Sequence, residues 1–231
     1  MSGYEFDSVA SEYYDSVLHP TCRNLRDGSL KAIRALLEEN LKVERYLEIG
    51  AGRSVLQDLP CLREIVDDVV INDESQRMLQ YSEALATKAH LVCGDFTTIK
   101  FDREGFELVV ASLGDAYNDE RSWTSIAEVL SLNGRCIFTT PSYPWSRAYR
   151  STHQGGRYDV ARFKLRSGEV VDLESHILPE LEQAKLVQSV GLRVRLTAGV
   201  YKSDLVAPIS PKLDVDESSL IPLLIGYLVT K

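Results

Sequence analysis

The sequence predicts an α/β fold, a doubly wound and mostly parallel sheet. Three observations predict it. Apolar runs of strand length recur along the chain, and longer segments with helical spacing separate them. The runs are apolar almost throughout, as strands covered by helices on both faces must be. The 231 residues are 44% hydrophobic and 26% charged. That balance excludes a disordered or fibrous chain, and a single domain over 1–231 is expected at this length.

Residues 1–40 read as an N-terminal segment followed by a helix. Leu30, Ile33 and Leu37 share one face of that helix, and Ser29 is placed to cap its start. The predicted strands are Arg45–Ile49, Val69–Asn72, His90–Cys93, Leu108–Ser112, Arg135–Thr140, Leu192–Thr197 and Ile225–Thr230. Helices are predicted at Ser75–Thr87, Ser122–Leu130 and Leu178–Val190. The last of these has Pro179 in its first turn and Gly191 just past its end, the usual start and stop signals.

The stretch from Thr140 to Leu178 breaks this rhythm. It is too polar and too rich in glycine breaks for one crossover helix. Phe163 to Val171 reads as a hairpin turning at Ser167-Gly168. Residues 143–176 are therefore expected to form an insertion after the fifth strand, over the sheet's carboxyl edge. A second irregular stretch, Val206–Pro222, leads to the last strand.

The chemistry concentrates at strand ends. The first strand ends in Glu48, followed by a turn with Gly50 and Gly52, residues that allow positive φ and close approach of backbone to a ligand. The second ends in Asp73, where adenosine-binding α/β folds place a carboxylate for the ribose hydroxyls. The third is followed by Gly94, Asp95 and Phe96, a carboxylate for an exocyclic amine and a ring to lie near a base. A dehydrogenase would continue the glycine-rich turn where Arg53 and Ser54 stand.

In this order the motifs resemble those of class I S-adenosylmethionine-dependent methyltransferases of the small-molecule type. Glu48 to Ser54 is similar to the family's acid-x-Gly-x-Gly-x-Gly motif, with Ser54 for the last glycine. Asp73, Glu74, Ser75, Met78 and Leu79 follow its second motif, and Gly94-Asp95-Phe96 its third. Phe106 to Ser112 resembles the fourth-strand motif with Glu107 for the usual Asp, and Leu132 to Phe138 the approach to the fifth strand. Phe6 to Asp15 is similar to the N-terminal segment that closes over the cofactor in many members. The resemblance implies a seven-stranded Rossmann-like sheet with its last strand antiparallel, and S-adenosyl-L-methionine as cofactor. It implies Asp73 at the ribose with Glu74 beside it among the cofactor-binding residues, Asp95 and Phe96 at the adenine, and Gly50 and Gly52 at the methionine part. Glu48 is assigned either to the amino group or to bracing the turn. Ser112 and Leu113 fall beside the transferred methyl, and Tyr14 near the sulfonium or in the core.

The methyl is already activated, so the enzyme mainly aligns the nucleophile, and a base matters only if a proton must leave. Asp115, His153 and His19 are the candidates for that role; His176 stands at the end of the insertion, where the next helix is expected to start, and His90 opens a strand. The two prolines of the amino-group nucleic-acid methyltransferases are missing after Asp115. The insertion carries Arg147, Arg150, Arg157, Arg162, Lys164 and Arg166 with aromatics between them, which suits an anionic or aromatic small molecule. A net charge of −8 disfavours nucleic acid. An RNA or protein methyltransferase, or a non-catalytic cofactor-binding protein, are the alternatives. The four cysteines form no CxxC pair, no metal-ligand spacing occurs and the N-terminus has no leader-like apolar core. A cytoplasmic protein that is a monomer or homodimer, and binds no membrane, is expected.

Overall fold

The computed structural model describes residues 4–37, 42–101, 105–215 and 220–231. The ends of the expected 1–40 segment, and residues 216–219 of the second irregular stretch, lie outside the described residues. In chain order the elements are α1 (Tyr4–Tyr13), α2 (Pro20–Leu36), β1 (Val43–Glu48), α3 (Pro60–Arg63), β2 (Val66–Asp73), α4 (Gln76–Leu79) and β3 (His90–Cys93). They continue as β4 (Phe106–Ala111), α5 (Glu120–Val129), β5 (Leu130–Pro141), α6 (Tyr143–His153), β6 (Val160–Lys164) and β7 (Val170–Glu174). The chain ends with α7 (Glu180–Ser189), β8 (Arg193–Val200) and β9 (Leu224–Thr230).

Seven strands form one sheet in the order β3-β2-β1-β4-β5-β9-β8. The first five pair in parallel, and β9 runs antiparallel between β5 and β8. Side chains alternate across this sheet. Tyr46, Leu108, Val110, Ile137 and Leu228 face a core closed by Ile33 and Leu36 of α2. Leu47, Val109, Cys136, Phe138 and Val229 face the opposite core, with Trp123 of α5 and Val187 of α7. The strands are apolar throughout because both faces are covered.

Three sequence readings change. Ser29 does not cap a helix. The helix starts ten residues earlier, after His19 and with Pro20 in its first turn, and Ser29 lies buried in its interior. There its hydroxyl meets Ser112 Oγ and Thr139 Oγ1, each at 2.7 Å, so tertiary partners satisfy a group that spacing alone assigned to a cap. The helix expected over 75–87 is one α turn capped by Ser75, then a 3₁₀ segment, Gln80–Leu85. The insertion opens with an eleven-residue helix, α6, before the expected hairpin. The turn is closed by Leu165 and Glu169, with Gly168 at φ 92°.

The hairpin β6–β7 is separate from the main sheet and packs on α1. Phe163 and Leu173 bury themselves against Val9, with Phe6 and Tyr13 alongside. A helix from the N-terminus and a hairpin from the insertion thus close over the sheet together.

Candidate active site

The sheet order reverses between β1 and β4, and doubly wound sheets take their ligands beyond the carboxyl ends of the strands at that point. A cavity of about 360 Å³ lies there, walled by Gly50, Ala51, Asp73, Ser112, Leu113 and Tyr117, and closed from above by α1 and α2. Glu48, Asp73 and Asp95 stand at the ends of the adjacent parallel strands β1, β2 and β3, on one edge of the sheet.

Asp73 is 5% exposed and lines the cavity. Its Oδ2 accepts the Gly52 amide at 2.7 Å and its Oδ1 the Ser75 amide at 2.8 Å, which aim the carboxylate and leave lone pairs free. Burial pushes its pKa up to about 6, and the two amides oppose that shift. The turn itself demands glycine. Gly50 and Gly52 sit at φ 60° and 49°, and a β-carbon would run into the Tyr117 ring at the first and the Tyr14 hydroxyl at the second.

Glu48 does not line this cavity. It is fully buried, and it accepts Ser54 Oγ at 2.5 Å, the Val55 amide at 2.8 Å and Tyr46 Oη at 3.1 Å. Burial raises its pKa against those donors. Of its two sequence readings, this geometry is the bracing of the glycine turn, and Ser54 is its partner there.

Asp95 also stands outside the cavity wall. Burial opposes its ionisation, but Thr97 and Arg121 hold it below the usual carboxylate range, Arg121 at 3.0 Å. Phe96 is buried and meets Tyr117 edge-on at 5.5 Å. Tyr117 is the residue around which the acids gather. Its phenol is pushed up first by burial, then by Asp73, Glu74 and Asp95. Glu74 itself is half-buried and not a wall of the cavity. Sequence reasoning passed over Tyr117, although it belongs to the Ser112–Asn118 segment after the fourth strand.

Tyr14 lines the cavity, its hydroxyl accepting the Arg53 amide at 2.7 Å, and the Arg26 guanidinium lies 5.4 Å from its ring centre. The segment bearing it is docked by Asp7, which accepts Ser75 Oγ and the Arg77 amide, and by Tyr81 Oη on the Ala10 carbonyl. The face of α2 that reaches the cavity precedes Ser29, so a helix capped at Ser29 leaves it out. Arg26 donates to the Arg53 carbonyl and to Asp58, which Arg53 pairs as well. Asp27 lines the cavity half-buried, its pKa raised by burial and partly restored by Arg23 and Arg26. Charges at 23, 26 and 27 on one helix were the signal.

A second cavity, of about 520 Å³, lies beneath the insertion. Phe6, Tyr13, His19, Cys22, Leu113 and Ala116 wall both cavities. Leu113 holds φ 54°, unusual for a non-glycine residue, where its amide donates to Thr139 Oγ1 at 2.8 Å. The second cavity takes its aromatic wall from Trp145, Tyr149 and Phe163.

The three catalytic candidates part company here. Asp115 lines the second cavity and accepts Ser175 Oγ. Burial raises its pKa, opposed by Ser175 and Arg150. His19 lies at the junction of the two cavities. His153 does not reach either one: it is exposed and stacks on Tyr149 at 4.6 Å, because it follows Tyr149 by one helical turn on the outer side of α6. His176 donates its amide to the Asp115 carbonyl.

The basic insertion is also corrected. Arg150 is a buried strut, donating to the Tyr158 and Ser175 carbonyls and to Ser175 Oγ. Arg157 and Arg162 pair with Asp172, and Arg166 with Asp15 at 3.5 Å. Arg147 lies over the Tyr158 ring at 4.4 Å. Asp172 stands on the facing strand of the hairpin and Asp15 in the N-terminal loop, so neither is a close chain neighbour of the arginine it pairs. Arg150, Arg162, Lys164 and Lys212 are the cationic side chains that line the second cavity.

A methyltransferase domain model matches residues 47–138, which run from β1 through most of β5. No curated protein matches the chain by sequence. Among solved structures, a complex of DhpI with SAM and HEP superposes with a TM-score of 0.67 at 15% identity, covering 98% of this chain and 94% of that one. A SAM-dependent methyltransferase from Clostridium acetobutylicum gives 0.62 at 18% identity, covering 95% and 96%. One from Mesorhizobium loti gives 0.62 at 15%, covering 88% and 98%. At such identities these likenesses establish the fold. No described helix is long and apolar enough to cross a membrane. The chain thus matches a methyltransferase domain from β1 through most of β5, and over nearly its whole length it has the fold of these S-adenosylmethionine-dependent methyltransferases.

Proposed function

We propose that the protein methylates a small molecule with an aromatic or anionic body, bound under residues 143–176 as a lid. One observation carries this reading. The cavity holding the ribose acid and the cavity under the insertion share Leu113 and Ala116 as walls at the end of β4. A donor in the first and an acceptor in the second would meet there.

The residues divide accordingly. Asp73 accepts the ribose hydroxyls as charge-assisted bonds. Tyr117, Phe96 and Asp95 hold the adenine side. Asp27 and Arg26 face the zwitterionic amino-acid head beside the glycine turn, with Tyr14 and Met78 on the walls. When bound, S-adenosylmethionine supplies an activated methyl group. The chain's task is to exclude water and to align the acceptor with the S–CH₃ bond. Trp145, Tyr149 and Phe163 offer planar apolar contact, and Lys164 and Lys212 offer positive charge. A polyanion is disfavoured by the net charge and by the carboxylates that pair Arg157, Arg162 and Arg166.

Calorimetry with S-adenosylhomocysteine, on the whole chain and on Trp145→Ala/Tyr149→Ala, tests the division of labour. Cofactor affinity is expected to stay within about threefold while turnover of added small aromatic acids is lost. Tight, salt-sensitive RNA binding, or loss of cofactor affinity in the lid variant, would overturn it.

A further inference from the structure

The junction between the two cavities holds a pair of side chains that the sequence does not suggest. His19 Nε2 lies 3.6 Å from Glu12 Oε2. Nε2 is buried and makes no hydrogen bond, so Glu12 faces it as a charge at ion-pair distance. The ring lines both cavities, and the Phe163 ring packs on one of its faces at 4.0 Å between centroids. In an imidazole the two nitrogens lie on opposite flanks of the ring. With Nε2 turned to a carboxylate and one face covered by Phe163, Nδ1 is the polar atom left for the cavity.

Three elements build the pair. Glu12 comes from the last turn of α1 and His19 from the residue before α2. The turn of the β6–β7 hairpin anchors Glu12, whose Oε2 accepts the Arg166 amide at 2.9 Å. Asp15 fixes the intervening loop through the Val17 and Leu18 amides, and its carbonyl accepts the His19 amide at 2.8 Å. The pair is therefore complete only when the lid hairpin sits on the N-terminal helix. The other ionisable groups around the ring are Tyr13 and Cys22 on the cavity walls, Asp15 on the loop, Arg166 on the hairpin and Asp115 across the cavity. Burial keeps the Cys22 thiol protonated, with a pKa pushed up to about 11, and raises the Tyr13 phenol too. Neither competes as a base.

A carboxylate beside one imidazole nitrogen selects the tautomer that carries its proton there and frees the other nitrogen's lone pair. We propose that Glu12 holds His19 as the Nε2–H tautomer, that His19 Nδ1 is the proton acceptor of the transfer, and that the methyl acceptor is an aromatic hydroxyl. This rests on the reading above of which cavity holds which partner. A thiolate or a carboxylate needs no base, whereas a phenol must lose its proton as it attacks. The aromatic walls fit the phenol's ring. As the phenol oxygen bonds the methyl carbon, the C–S bond breaks and its electron pair stays on sulfur. The O–H proton moves to His19 Nδ1, leaving an aryl methyl ether, S-adenosylhomocysteine and an imidazolium. Water then takes the proton. His19 is the catalytic residue in this scheme and Glu12 a positioning residue.

Two measurements test it. Long-range ¹H–¹⁵N correlation on protein labelled at histidine nitrogen is expected to show His19 protonated at Nε2 and unprotonated at Nδ1. In Glu12→Gln that bias should weaken, with the other histidines unmoved. Turnover of S-adenosylmethionine with phenol, 4-hydroxybenzoate and thiophenol forms the second arm. His19→Asn is expected to lower kcat for the phenols 10²- to 10⁴-fold and for thiophenol, already ionised at neutral pH, less than tenfold. A proton on Nδ1, equal losses for phenols and thiophenol, or methylation of thiophenol without the phenols overturns the proposal. Failure of the unmodified chain to bind S-adenosylhomocysteine would instead overturn the reading on which it rests.

Discussion

Replacing Asp73 by Asn keeps shape and volume while removing the charge that the cavity is built around. The folded protein holds this carboxyl at about 6 rather than 3.8. At about 1.36 kcal/mol per unit, ionising it inside the fold costs about 3 kcal/mol. The sign is the reverse of the usual carboxylate case. The native state binds the proton more tightly than the unfolded chain, so stability falls as pH rises from about 4 to about 6 and is level above. Asn removes that cost. Its amide group, though, turns a donor toward the Gly52 or the Ser75 amide, leaving one of them unpaired at about 1–3 kcal/mol. The two effects nearly offset, and the urea midpoint at neutral pH should move little. Cofactor binding has no such compensation. Ribose hydroxyls donating to a charged acceptor are each worth about 1.5–3 kcal/mol, so one lost bond weakens affinity roughly 10- to 150-fold. In the unmodified protein the carboxyl must also give up its proton to bind well, which costs roughly tenfold in affinity at pH 5 relative to pH 7. Calorimetry with S-adenosylhomocysteine at pH 5, 6, 7 and 8 measures both. The wild-type curve should rise through about pH 6, and Asp73→Asn should be weak and flat. A flat wild-type curve, or an Asn variant that binds as tightly as wild type, refutes the assignment of this carboxylate to the ribose.

Three further outcomes follow from neighbouring residues. Glu48→Ala strands the Ser54 hydroxyl, the Val55 amide and the Tyr46 hydroxyl in the core; the urea midpoint should drop by the equivalent of about 3 kcal/mol or more, and a loss under about 1 kcal/mol contradicts the bracing role. Asp27→Asn should weaken S-adenosylhomocysteine by roughly tenfold, one charge-assisted bond, yet leave 5′-methylthioadenosine, which lacks the amino-acid head, untouched; equal effects on both place Asp27 elsewhere. Lys164→Glu with Lys212→Glu should raise KM for a carboxylate-bearing aromatic while KM for its neutral analogue changes little, and steady-state kinetics on the pair would expose a purely solvated role if neither moves.

The sequence by itself determined the sheet, the strand ends and the glycine turn. Those follow from local rules: apolar runs must be covered, strands are short, and an acid or glycine at a strand's end is fixed by its neighbours in the chain. Asp73 reaches its place because β2 ends there, and Gly50 because the turn needs positive φ. What only the tertiary structure decided were pairings between distant segments. Ser29 looked like a cap because its partners, Ser112 and Thr139, lie 83 and 110 residues away. Arg157 and Arg162 looked like a free basic funnel because Asp172 is on the facing strand of the hairpin. Glu48 stands where the resembling motif has its strand-end acid, yet its direction is set by Ser54 and Val55 folding back over it. His153 and His19 are indistinguishable as letters. A helical turn carries one to solvent, and the packing of α1, α2 and the hairpin places the other beside Glu12 at the meeting of two cavities. Side-chain direction and partnership are properties of packing, and no local pattern encodes them.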